Sequence, residues 1–184
     1  MRIGLVTPEF VTEHLFDGGL ANYVYRAART LLLLGHDVRV ITSAGQTERI
    51  TYDGIPVERV AVQDAREWKM SRSYKRINAL LRWRYDMIIK SLWQSAALSR
   101  VVQRLHRERP FHIVQYAHLA GVGFFRPRDI PTVIRLSSST RLCNEKGGYG
   151  IAKIHVRQQE WIERRALLRT DGIFGPSQRI AAIL

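Results

Sequence analysis

The chain has 184 residues, 46% of them hydrophobic, enough for one domain with a full core and no need of stapling; its only cysteine, Cys143, has no internal disulfide partner. Lys and Arg number 29 against 16 acids, a net +13 that draws polyanions such as nucleic acid, anionic lipid or phosphorylated substrates without choosing among them. No apolar stretch approaches the ~20 residues of a membrane span and no cleavable leader opens the chain, so the expected setting is cytoplasmic and reducing.

Short β-rich runs alternate with helical patterns, as in a parallel sheet covered on both faces, and there is no internal repeat, linker or low-complexity tract. The first strand is Arg2 to Thr7. Gly18 and Gly19 follow it and open a helix whose Leu20, Val24, Ala27, Ala28, Leu31 and Leu34 recur at helical spacing until Gly35 stops it. A glycine pair between strand and helix lets the backbone approach a ligand, and the free N–H groups of the helix start favour phosphate or carboxylate. The same pair also suits a plain flexible connection.

Val38 to Thr42 is the second strand. Ile50 to Tyr52 and Ile55 to Val60 flank Asp53-Gly54, a two-residue hairpin signal. A long helical stretch runs from Tyr74 to Arg109, strands recur at Ile113 to Ala117 and Pro131 to Leu136, and a helix from Ile151 to Leu168 precedes a weak strand at Gly172 to Phe174. The chain ends in a further helical pattern, Gln178 to Leu184. The expected fold is α/β: a Rossmann-like, doubly wound, mainly parallel sheet with helices on both faces.

Ligands of such sheets bind beyond the carboxyl ends of the strands. Residues there include Pro8, Glu9 and Phe10, then Asp17, Gly18 and Gly19; His118; Ser137, Ser138, Ser139, Thr140 and Arg141; and Pro176 and Ser177. A glycine pair, a carboxylate, a histidine, hydroxyls and arginines at one rim suit a sugar or a phosphorylated polar ligand. No metal-ligand cluster stands out. A strand-end histidine can equally well satisfy only a backbone carbonyl, and Glu9 can be a solvated loop carboxylate.

The middle of the chain mixes cations with aromatic and aliphatic residues, among them Arg66, Trp68, Lys69, Arg72, Lys75, Arg76, Trp83 and Trp93. Such a segment can lie on an anionic bilayer. It can equally be an ordinary helix with Ile77, Leu80, Leu81, Ile88 and Leu92 in the core and the cations in water. Nucleic acid is the weaker partner, since no RNA- or DNA-binding motif accompanies the charge. Gly147, Gly148, Tyr149 and Gly150 read as a mobile loop before a helix.

The succession of Arg2 to Phe10, Gly18-Gly19-Leu20, the helix end at Leu33 to Val38, and Val40 to Thr42 resembles the amino-terminal half of GT-B glycosyltransferases, particularly the retaining family 4. The resemblance continues through His112 to His118 and from Glu163 to Ser177, covering nearly the whole chain apart from its middle. It implies two Rossmann-like domains facing a cleft, the acceptor held mostly by the first and a nucleotide-diphosphate sugar, the donor co-substrate, mostly by the second. Residues 1–184 then form the acceptor domain alone, since the paired glutamates usual in the donor half are missing. The implied partners are a sugar or lipid-linked acceptor and that donor-binding domain. By itself the chain is expected to bind no cofactor and to transfer nothing.

Carried over by position, the resemblance places Gly18 and Gly19 against the donor diphosphate, and Gly19 and His118 at the reacting centre. It gives Glu9, Asn22, Tyr23, Ser137, Ser138 and Arg141 to the acceptor. Ser137 stands where family members often carry a histidine, so a role needing an ionisable ring is not expected there. No lysine stands near Asp17, unlike the related glycogen and starch synthases, which argues against glucan synthesis. A competing expectation is a non-catalytic binding or scaffolding module on the same half-fold. A nicotinamide oxidoreductase is disfavoured because no Gly-x-Gly-x-x-Gly follows the first strand.

Overall fold

The computed structural model describes residues 1–13, 18–62, 84–137, 139–147 and 150–176. Asp17, Ser138, Gly148, Tyr149, Ser177, the expected helix at Gln178 to Leu184 and the basic segment from Arg66 to Trp83 lie outside the described residues.

In chain order the elements are β1 (Arg2–Thr7), α1 (Gly19–Leu33), β2 (Asp37–Ala44), β3 (Glu48–Tyr52), β4 (Ile55–Ala61), α2 (Asp86–Glu108), β5 (Ile113–Ala117), a single 3-10 turn (Leu119–Gly121), β6 (Thr132–Arg135), α3 (Thr140–Gly147), α4 (Lys153–Leu167) and β7 (Gly172–Phe174). The strands form one sheet in the order β3-β4-β2-β1-β5-β6-β7. Every neighbouring pair is parallel except the β3/β4 hairpin. That hairpin turns at Asp53 and Gly54 with φ of 49° and 77°, the doubly left-handed turn that matches strand twist. The expected mainly parallel, doubly wound α/β architecture is what forms.

β1 is central and all six of its residues are buried, the continuous run of a strand covered on both faces. Gly4 is needed within it, because an added Cβ would sit 3.2 Å from Val114 of β5. The register sorts the helices to opposite faces. Leu5 lies between Val40 and Gln115, and the Tyr23 hydroxyl of α1 donates to Gln115 at 3.4 Å, so α1 covers that face. Glu58 and Ile41 point the other way, and Arg104 of α2 bonds Glu58 at 3.0 Å. α4 lies beside α2, Gln159 donating to Ser91 at 2.6 Å. Glu58, buried, also pairs with Arg39 and Arg49 at 3.2 and 3.0 Å, so one carboxylate absorbs three of the many arginines.

Two expectations shift. α1 buries Leu20, Ala21, Val24 and Ala28, but it ends at Leu33, leaving Leu34 as a solvent-exposed cap before Gly35 turns the chain at φ 79°. Residues after Ser139 form a helix, α3, which no apolar stripe announces. Its cue is Ser139, whose Oγ accepts the Leu142 N–H at 3.2 Å as an N-terminal cap.

Candidate functional site

Chain order reverses between β1 and β5: from β1 the strands run one way to β2 and the other way to β5. Ligands of such sheets sit in the crevice outside the carboxyl ends of the strands at this switch point. Two groups of expected residues flank it, one on each face of the sheet.

The first group is built on the start of α1. Gly18 is its N-cap, in extended conformation, with no side-chain cap of its own and no acid in the first turn. The vacant cap is filled from β1's end. Thr7 Oγ1 donates to the Glu9 carbonyl at 2.8 Å and fixes that loop, and the Glu9 carboxylate accepts the Ala21 N–H. Burial raises the Glu9 pKa, and the Ala21 bond opposes that rise without cancelling it. A Cβ on Gly18 would stand 3.4 Å from Glu9 Oε1, whereas one on Gly19 meets no described atom within 4 Å. The Cβ position of Gly19, at the positive end of the helix, is therefore clear of every described atom. Asn22, exposed, turns back onto the Gly18 carbonyl with both its backbone N–H and its Nδ2, each at 3.2 Å.

One turn on, Tyr23 lies under Arg135, whose guanidinium carbon is 3.6 Å from the ring centroid. Arg135 ends β6 and makes no ion pair among the described residues. Nothing in its local sequence marks it. Only the tertiary stack on Tyr23 brings this cation to the rim.

The second group surrounds His118, at the end of β5. Its backbone N–H donates to the Arg135 carbonyl at 3.1 Å, and its own carbonyl accepts the Gly121 N–H at 3.1 Å. The side chain is 2% exposed, and Nδ1 has no partner among the described residues. Burial pushes its pKa down to about 4, so the imidazole is neutral at neutral pH with a ring nitrogen left over.

His118 lines a cleft of about 660 Å³ between α3 and α4, with Ser139, Arg141 and Glu145 on one side and Arg157, Glu160, Trp161 and Arg164 on the other. The structure thus brings Arg141 and His118 to one cleft. Arg141 is already engaged, pairing with Glu145 at 2.9 Å and Glu160 at 3.7 Å. Ser137 has a buried hydroxyl with no described partner and is not among the cleft's lining, while Ser138 lies outside the described residues.

Glu163 also lines the cleft, a position its sequence neighbours do not mark. It is 2% exposed and accepts hydrogen bonds from Thr140 Oγ1 at 2.7 Å, the Thr140 N–H at 3.4 Å and the Ala120 N–H at 3.3 Å. One carboxylate thereby ties the turn after His118 to the start of α3. Burial raises its pKa to about 7, these bonds opposing. A signal for it existed: Val156, Gln159, Ile162, Glu163 and Ala166 form the buried stripe of α4, with an acid inside it. Among the described residues no group of three or more His, Cys, Asp or Glu side chains is placed to hold a metal.

The fold is that of a Rossmann-like domain of the kind found in GT-B glycosyltransferases. The model of the glycosyl transferase 4-like domain family matches residues 18–184, and the chain belongs to that family, whose chemistry is glycosyl transfer. Among solved structures it is similar to a sucrose-phosphate synthase of Thermosynechococcus elongatus, with 14% identity and a TM-score of 0.63 over 100% of this chain and 44% of that one. Os79 of O. sativa, solved in complex with UDP, matches at 15% identity and a TM-score of 0.59 over 98% of this chain and 48% of that one. UGT2 of Phytolacca americana matches at 11% and 0.52 over 95% and 45%. The chain therefore spans under half the length of the structures it resembles. No curated sequence matches it.

Proposed function

We propose that this chain is the acceptor-binding domain of a retaining, nucleotide-sugar-dependent glycosyltransferase, whose site is completed by a second, donor-binding domain, and that it works in the cytoplasm. The observation that carries this reading is His118: a buried, neutral imidazole whose Nδ1 has no partner among the described residues, lining a cleft at the carboxyl rim of β5. Clefts of this size hold small ligands, and the acceptor enters here. His118 hydrogen-bonds a hydroxyl of the transferred sugar or of the acceptor, and stays uncharged while doing so.

Across the rim, the backbone N–H groups at Gly18 and Gly19 face the donor diphosphate and stabilise the negative charge that develops as the sugar–phosphate bond breaks. Glu9 bonds one N–H of that helix start, and no described atom lies within 4 Å of the Gly19 Cβ position. The donor class is a nucleotide-diphosphate sugar. Uridine diphosphate sugars head the screen, since Os79 was solved with UDP.

The test uses the protein carrying both domains, screened for hydrolysis of and transfer from uridine, guanosine and adenosine diphosphosugars. Gly19→Val puts a branched side chain at the helix start, where its Cβ meets no described atom of the fold within 4 Å. Losing one such contact lowers turnover by ~100-fold or more, with the melting temperature little changed. His118→Ala is expected to lose turnover as well. Near-normal turnover in both variants, with folding verified, removes the glycine turn and the histidine from the site. Residues 1–184 alone are expected to bind these sugars no tighter than roughly millimolar by calorimetric titration; micromolar binding contradicts a donor site in another domain.

A further inference from the structure

The outer surface of α4 and the turn after the Leu119–Gly121 segment carry aromatic rings and arginines that, Trp161 excepted, lie outside the lining of the His118 cleft. The rings of Phe124 and Phe125 meet edge to face at 4.9 Å, and Phe124 lies 5.7 Å from Trp161. Arg165 covers Trp161 at 5.6 Å and Arg169 covers Phe124 at 5.9 Å. Phe125, Trp161 and Leu168 are 45%, 48% and 70% exposed. Arg126 and Arg128 stand in the same turn region. Burial and the like charges of Arg169 and Arg128 lower the Arg126 pKa, against the pull of Asp171, whose carboxylate already holds the Thr132 N–H at 2.8 Å. None of Arg126, Arg128, Arg165 and Arg169 makes an ion pair among the described residues. Large apolar groups left in water beside clustered like charges mark a surface that gains from an anionic, partly apolar occupant.

We propose that this patch docks the protein on an anionic phospholipid bilayer, with Phe125, Trp161 and Leu168 entering the headgroup boundary and Arg165, Arg169, Arg126 and Arg128 pairing with lipid phosphates. Charge complementarity selects an anionic partner, and the apolar groups select lipid. Nucleic acid uses free aromatic faces for base stacking, but Arg165 and Arg169 already lie over Trp161 and Phe124, and aliphatic Leu168 gains nothing from a base. An interface takes rings, aliphatic side chains and arginines together. Docking is shallow, because the inner stripe of α4, including Val156, Ile162 and Ala166, is committed to the domain, and no described helix is long and apolar enough to cross a membrane. Trp161 also lines the His118 cleft, so docking sets the cleft's mouth at the headgroups. On the acceptor reading, and resting on it, the acceptor is then a membrane-borne glycan or lipid-linked sugar.

Sedimentation with vesicles of phosphatidylcholine, with and without phosphatidylserine, reads the docking directly. Binding is expected only with the anionic lipid and to weaken between about 0.05 and 0.5 M salt. Each cation near such a surface is worth ~5-fold in binding, so Arg165→Gln/Arg169→Gln lowers it by roughly 30-fold. Phe125→Ser/Leu168→Ser, both on exposed side chains, is expected to weaken it too. Arg26→Gln/Arg107→Gln, removing two cations elsewhere, leaves it near the parent value. The proposal is overturned by absence of binding to anionic vesicles, by equal losses in the patch and control variants, or by binding of an RNA oligonucleotide in place of vesicles. It is also overturned if neutralising Lys69, Arg72, Lys75 and Arg76 abolishes binding while the patch variants bind normally. Vesicle docking without sugar transfer by the two-domain protein leaves the patch standing and sinks the acceptor reading. Transfer without docking does the reverse.

Discussion

Gly121→Ala is expected to lower the unfolding free energy by about 2–5 kcal/mol, a large share of the ~5–15 kcal/mol that holds a domain of ordinary stability together. Two separate penalties combine. A Cβ at Gly121 would stand 2.3 Å from Ile162 Cγ2 and 3.3 Å from the Ile162 backbone carbon, so α4 or the turn must move; overpacking of this kind costs about 1–3 kcal/mol. The residue also has φ of 60°, where an L side chain adds about 1–2 kcal/mol. Chemical denaturation measures the sum. Ile162→Ala removes the clashing methyl, so in a double-mutant cycle the pair is expected to be less destabilised than the two single losses added together. Strict additivity would show that the turn does not dock on Ile162. Ala120, at φ 59° without a glycine's freedom, makes the converse test: Ala120→Gly is expected to stabilise by about 0.5–1 kcal/mol.

That turn matters beyond stability because it presents His118. The histidine sits at the end of a strand whose pleat directs its side chain to the α2 and α4 face, and the two left-handed residues after it reverse the chain onto α4. Glu163 then pins Ala120 and Thr140 from below. The cleft is thus assembled from three elements that meet only in three dimensions.

The sheet was legible for a reason its residues state openly. Ile3, Gly4, Leu5 and Val6 form an unbroken apolar run, Val38, Val40 and Ile41 a second one interrupted only by Arg39, and Asp53-Gly54 allows one kind of turn. Such signals are local, and the strands, the hairpin and α1 follow from them. What stayed hidden is tertiary. Glu9 reads as a solvated loop acid until α1 is placed over it; Arg135 is one more cation until Tyr23 lies beneath it. Glu163 is surrounded in sequence by Glu160, Arg164 and Arg165, so it reads as part of a charged face, although helical phase puts it on the buried stripe with Ile162 and Ala166. α3 was missed because Leu142 and Cys143 are too few to make a periodic pattern, and its cap, Ser139, is one hydroxyl in a run of four.

Glu163 and His118 are expected to give the stability of this domain opposite dependences on pH that cancel until one is removed. The Glu163 pKa rises from 4.5 to about 7 on folding, so between those values the folded state holds the extra proton. Its stabilising contribution is complete below pH ~4.5 and is lost as pH rises through ~7, a change of about 3 kcal/mol. The His118 pKa falls from 6.5 to about 4, so between those values the unfolded chain holds the extra proton. Its contribution is complete above pH ~6.5 and is lost as pH falls through ~4, by a similar amount. Across their common window, about pH 4.5 to 6.5, the two slopes oppose, and the parent protein is expected to be nearly flat there. Glu163→Gln keeps one carbonyl acceptor for Thr140 but cannot titrate, so its stability is expected to climb by about 3 kcal/mol from pH ~4 to ~6.5 and to lose the decline that the parent shows towards pH ~7.5. His118→Gln is expected to do the reverse and fall steadily from pH ~4.5 to ~7. Urea unfolding at a series of pH values compares the three profiles. Parallel curves for the parent and Glu163→Gln would mean that Glu163 titrates alike in both states and is not the buried carboxyl that holds the turn after His118 against α3.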